Sequence, residues 1–303
     1  MKKYFLEMGF WGRLFVLVTL ATFLLIFTAI IGDIVAYYVF GKDAVVRMDA
    51  PVLQLLQTFM AVGLFLLPTV LMVRLCCEGS LGGNLMVSRR PRLLQLLVCI
   101  AAIIAASPLV SWLEDVNLQM SFPESMSSVE NWMREREASA AKVVEKLTAS
   151  PDPWNFVANL FVLAFLPGLC EEMFFRVGVQ TRLFDDKTRI RGYWAVVLTA
   201  VLFSAFHLQF FGFLPRLALG VLLGIFLLLT GNVWYSILAH FVNNMVVVAA
   251  AYMTARGVEM AQPQWLATWW AALLGALATA GLVAVLYKLE KNQKNALKFR
   301  DMA

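Results

Sequence analysis

The chain has 303 residues, 61% of them hydrophobic and only 15% charged, with a formal net charge of +5. A soluble domain carries roughly 25% charged residues, so this composition excludes a soluble globular protein and points to an all-α, polytopic membrane helix bundle. No basic, aromatic-interleaved stretch argues for nucleic acid; membrane lipids are the expected surroundings and the expected partner of the positive charge.

Runs of mostly apolar residues long enough to cross about 30 Å of hydrocarbon fall at 13–40, 52–75, 93–113, 154–179, 193–211, 213–230, 232–252 and 265–288. They predict about eight transmembrane helices. Lys2 and Lys3 ahead of the first run resemble a secretory signal. The run is too long for one and ends at Gly32-Asp33 without a small-x-small site, so it is read as an uncleaved first span.

Lys and Arg mark cytoplasmic loops. With the N-terminus inside, the inner segments hold Lys2, Lys3 and Arg13, then Arg74, Arg89, Arg90 and Arg92, then Arg182, Lys187, Arg189 and Arg191, and last Lys288, Lys291, Lys294, Lys298 and Arg300. The outer loops hold fewer. The expected location is a multi-pass plasma (inner) membrane with both termini cytoplasmic.

A hydrophilic, acidic insert occupies 114–152 on the expected outer side. Trp132, Val143, Val144 and Leu147 among its charges suggest an amphipathic helix. Cys76, Cys77, Cys99 and Cys170 show no metal-ligand spacing and are expected to remain thiols without a disulfide.

Chemistry concentrates between 165 and 245. In Glu171-Glu172-Met-Phe-Phe-Arg176, residues four apart share a helical face, so Glu172 faces Arg176 while Glu171 points elsewhere into apolar surroundings. Pro167 upstream removes a backbone donor and exposes carbonyls beside the glutamates. The only two histidines of the chain follow in apolar runs, each with a partner four residues away: Phe203 with His207, and His240 with Asn244. Asn243 is also near enough to His240 to share its face. Ionisable groups at membrane depth are expensive and mark functional cavities.

Glu171-Glu172-x-x-x-Arg176, Phe203-x-x-x-His207 and His240-x-x-x-Asn244, in this order on successive apolar helices, resemble the motifs of the CPBP (Abi) intramembrane glutamic protease family. That family includes the type II CAAX prenyl endopeptidases and bacteriocin-immunity proteins. The resemblance covers roughly 155–250 and divides the chain into N-terminal spans (1–113), the insert (114–152), CPBP-like catalytic helices (153–252) and a last span with a basic cytoplasmic tail (253–303).

The resemblance implies an intramembrane endopeptidase that hydrolyses a membrane-tethered or lipidated peptide, without cofactor or metal. Glu171 with His207 would activate a water. His240 and Asn244 would donate to the oxyanion, while Glu172, Arg176 and Phe203 support the site. H-E-x-x-H, G-x-S-x-G and G-x-G-D signatures are absent from the sequence. A zinc ion on Glu171, His207 and His240 is an alternative donor set. Two other classes suit the same residues: a non-catalytic membrane binding or immunity protein, and a proton-relaying transporter.

Overall fold

The computed structural model describes residues 2–185, 192–258 and 263–301. Among these residues every regular element is helical, because hydrocarbon offers the backbone no partner and helices satisfy their own N–H and C=O groups. The chain order is α1 (Phe10–Phe40), α2 (Ala50–Cys76), α3 (Leu93–Leu118), α4 (Ser127–Thr148), α5 (Pro153–Phe184), α6 (Tyr193–Phe206), α7 (Phe210–Thr230), α8 (Trp234–Ala255) and α9 (Trp269–Gln293). Seven of these, all but α4 and α6, are long and apolar enough to cross a membrane. The chain is an integral membrane protein.

The sequence predicts an eighth span over 193–211, but α6 has only 14 residues, about 21 Å of rise. His207 N–H and Leu208 N–H turn back to the carbonyls of Ser204 and Ala205, at 3.3 and 3.1 Å, and Leu208 takes a left-handed φ of 52°. A β-carbon in that conformation cannot continue a right-handed helix. Residues 207–209 break the helix between α6 and α7, which hydropathy alone does not register.

Within the insert, Ser127–Thr148 form α4, and its apolar residues do not make one buried face. Trp132, Val143 and Val144 are exposed and only Leu147 is buried. Leu147 lies at the end where α4 turns into α5, and its carbonyl accepts from Asn155 Nδ2 at 2.9 Å and Asn159 Nδ2 at 2.7 Å. The oxygens of those two amides accept in turn from Gln54 Nε2 of α2, at 3.0 and 2.9 Å. The basic residues Lys187, Arg189 and Arg191 of the orientation count lie outside the described residues.

The chain divides into two compact units with interleaved segments. The first comprises Met1–Ser88, Ala138–Ala195 and His240–Met260. Here α1 packs along α2, and Gly63 makes the approach close: a β-carbon there would fall on Thr28 Oγ1 and 2.8 Å from the Leu24 carbonyl. The second unit comprises Arg89–Glu137, Val196–Ala239 and Ala261–Ala303. Its core is built from α3, α7 and α9, with Cys99, Ile103, Leu222, Phe226 and Leu286 buried together.

Candidate active site

The site residues of the first unit sit on α5 and on the part of α8 that begins at His240. Pro167 has no N–H to return to the carbonyl one helical turn earlier, at Leu163. Asn244 Nδ2 donates to that carbonyl instead, at 3.3 Å. Around the proline α5 is irregular: it is π-helical over Leu160–Phe165, α-helical over Leu166–Glu172 and π-helical again over Met173–Asp185. Consistent with the widened turn, Thr181 Oγ1 donates to the carbonyl of Arg176, five residues back, at 3.0 Å. Such π segments are rare and recur at functional sites.

Glu172 and Arg176 are both fully buried, at 0% exposure. Arg176 Nε donates to Glu172 Oε2 at 2.7 Å, and Nη2 stands 3.5 Å from Oε1. The pair expected from the four-residue spacing is present. The sequence did not reveal its third member: His240 Nδ1 lies 3.1 Å from Glu172 Oε1. An ionised carboxylate only accepts, so Nδ1–H is the donor. A carboxylate taken out of water is costly unless paired and hydrogen-bonded, and here a guanidinium and an imidazole supply both requirements.

Glu171 is partly exposed and points about 100° away from Glu172 around the helix. On α8, Asn243 Nδ2 donates to Asn244 Oδ1 at 3.1 Å. The two candidate amides are therefore not equivalent: Asn243 orients Asn244, whose own amide group reaches α5.

Phe203 and His207 belong to the second unit. His207 lies just past the end of α6 rather than within a helix. Its Nδ1 donates to the Phe203 carbonyl at 2.8 Å, and its ring meets that of Phe203 edge-on with centroids 5.0 Å apart. This contact fixes the tautomer and makes Nε2 the acceptor of the neutral ring. Among the described residues, neither unit brings three His, Cys, Asp or Glu side chains close enough together to hold one metal ion.

The sequence did not reveal that Asn244 takes the Leu163 carbonyl or that Glu172 is the partner of His240. Pro167 was the signal for the first. The second joins residues 68 apart, and no local spacing encodes it.

Residues 153–246 match the family model described as type II CAAX prenyl endopeptidase Rce1-like. The match spans about a third of the chain and contains Glu171, Glu172, Arg176, Phe203, His207, His240 and Asn244. It is the family that the ordered motifs resemble. No curated protein and no solved structure matches the chain.

Proposed function

We propose that this chain, whose 153–246 segment is of the Rce1-like type, is an intramembrane endopeptidase that hydrolyses a membrane-tethered or lipidated peptide. The observation that carries the reading is the buried Arg176–Glu172–His240 chain inside the matched segment. A structural glutamate at a helix end needs neither a second cation nor full burial. An imidazole held by a carboxylate is the arrangement that orients a catalytic histidine.

In this reading the two neighbouring glutamates have separate tasks. Glu172 is committed to Arg176 and His240 and positions them. Glu171, partly exposed, is the general base that takes a proton from the attacking water as the oxygen bonds to the peptide carbonyl carbon, and gives it to the departing amide nitrogen as the C–N bond breaks. His207 is its partner by the family's motif order, with Nε2 as the atom that accepts from the water. Phe203 holds the His207 ring by its carbonyl and its face.

His240 and Asn244 donate to the oxyanion. Because Nδ1–H is engaged with Glu172, His240 offers a second donor, from Nε2, only as the imidazolium. Asn244 uses one amide hydrogen on Leu163 and retains the other for the oxyanion. A prenylated peptide is the substrate class that the family description names, and the surrounding spans give its lipid an apolar environment.

We place both termini on the cytoplasmic side of the plasma (inner) membrane. The alternating Lys and Arg count supports this, as does the meeting of Lys3, Arg13 and Arg182, from two segments assigned inside, around one cavity.

The test is steady-state cleavage of a prenylated reporter peptide by Asn244→Ala. Loss of one oxyanion donor lowers kcat by about 10²–10³ with KM little changed; an equal loss confined to KM would remove Asn244 from the oxyanion site. Activity that survives a chelator supports the metal-free mechanism, and activity abolished by the chelator and restored by zinc contradicts it.

A further inference from the structure

Away from the glutamates, the first unit holds a cavity of about 830 Å³ lined by Lys3, Glu7, Arg13, Glu78, Asn84 and Arg182 together with Leu6, Cys76 and Cys77. It gathers the start of α1, the end of α2 and the far end of α5. These are membrane-span termini, where lipid headgroups lie.

Arg13 is the informative residue. It is only 4% exposed, yet its contacts are a carbonyl and a thiol: Nη2 donates to Cys76 O at 2.8 Å and Nη1 reaches Cys77 Sγ at 3.9 Å. Its Nε is buried without an acceptor. Neither contact carries a countercharge, and a buried cation without one is strongly unfavourable. The Nη1 and Nη2 hydrogens that these contacts leave over suit a phosphate.

The cavity is not simply basic. Glu7 and Glu78 line it too, both exposed, and among the described residues neither pairs with Arg13 or Lys3. Lys3 and Arg13 together with two carboxylates, held apart around one space, disfavour a plain anion, which the carboxylates repel. A group with a phosphate at one end and an ammonium at the other satisfies both sets.

We propose that this cavity binds the phosphoethanolamine headgroup of a membrane phospholipid. Its phosphate lies toward Arg13 and Lys3, its ammonium lies toward Glu7 and Glu78, and its acyl chains run along the spans. The ammonium donates to carboxylates in a way that a glycerol or a quaternary choline headgroup does not. Occupancy would tie the start of α1 to the ends of α2 and α5.

The experiment uses the full chain in neutral detergent, titrated with phosphatidylethanolamine, phosphatidylglycerol or phosphatidylcholine and read by native mass spectrometry for retained lipid. Arg13 is buried and its replacement risks the fold, so exposed positions carry the test. Wild type is expected to prefer phosphatidylethanolamine by about tenfold, the scale of one charge-assisted hydrogen bond. The Glu7→Gln/Glu78→Gln double variant loses that preference while still holding phospholipid. Lys3→Gln weakens phosphatidylethanolamine and phosphatidylglycerol alike. Equal retention of the three lipids by wild type overturns the proposal, as does a preference that the double variant leaves unchanged. Glycerophosphoethanolamine or inorganic phosphate binding as tightly as the lipid reassigns the cavity to a solute and overturns the membrane assignment.

Discussion

His240 Nδ1 lies 3.1 Å from Oε1 of Glu172, while Arg176 Nε holds the other oxygen of the same carboxylate at 2.7 Å. One buried carboxylate therefore serves two elements, α5 and α8, and sets which nitrogen of His240 carries the proton. Of two glutamates adjacent in sequence, one is fully committed to this arrangement and the other remains available for chemistry.

The first prediction separates those two glutamates by stability. Glu172→Gln removes the countercharge of a guanidinium at 0% exposure, and breaking a buried pair on one side costs about 3–5 kcal/mol. Glu171→Gln, partly exposed, stays within about 0.5 kcal/mol of wild type. Thermal unfolding of the detergent-solubilised proteins checks this. Equal unfolding temperatures for wild type and Glu172→Gln would remove the pairing from the stability of the unit.

Pro167 and Asn244 are predicted to be coupled. Asn244→Ala strands the Leu163 carbonyl and costs about 1 kcal/mol. In a Pro167→Ala background the restored N–H can take that carbonyl, so the same substitution costs less. A double-mutant cycle measures the difference, and strict additivity would mean that the proline does not create the acceptor.

Two glycines give opposite expectations. Gly63→Ala drives its β-carbon into Thr28 Oγ1 and toward the Leu24 carbonyl, an overpacking that costs about 1–3 kcal/mol. At Gly178 the added carbon would meet Thr69 Oγ1 at 3.4 Å, ordinary contact distance, and alanine is tolerated. Comparing the unfolding temperatures of the two variants decides the matter.

The insert carries a pH dependence of its own. The Phe122 N–H and then the Arg134 guanidinium hold the Glu130 carboxyl below its ordinary range. A lowered carboxyl stabilises the folded insert fully above the ordinary value of about 4.3, and the contribution disappears as pH falls through the lower folded value. Hydrogen exchange at the Phe122 amide should accelerate over that acidic window in wild type and lose the acid step in Glu130→Gln. An identical profile in both would contradict it.

Much of the fold was legible because the bilayer leaves a chain few options: apolar length placed seven spans, and the four-residue spacing placed Arg176 against Glu172. Backbone events hidden from hydropathy were not legible. Leu208 looks like any apolar residue, yet its left-handed φ ends α6 and sets His207 outside a helix. The π-helical widening of α5 likewise has no pattern in apolar residues. Pro167 was readable as a source of exposed carbonyls, whereas the identity of the group that takes Leu163 depended on α8. Contacts across long separations, such as that between Glu172 and His240, arise only when the helices pack.

The most direct measurement is hydrolysis of a prenylated, membrane-tethered reporter peptide by purified wild type, Glu171→Gln and His207→Ala, with unfolding temperatures taken on the same samples. A glutamate base predicts that wild type cleaves and that Glu171→Gln loses about 10²–10⁴-fold in kcat at unchanged stability, with His207→Ala similarly impaired. Cleavage by Glu171→Gln at the wild-type rate would contradict it.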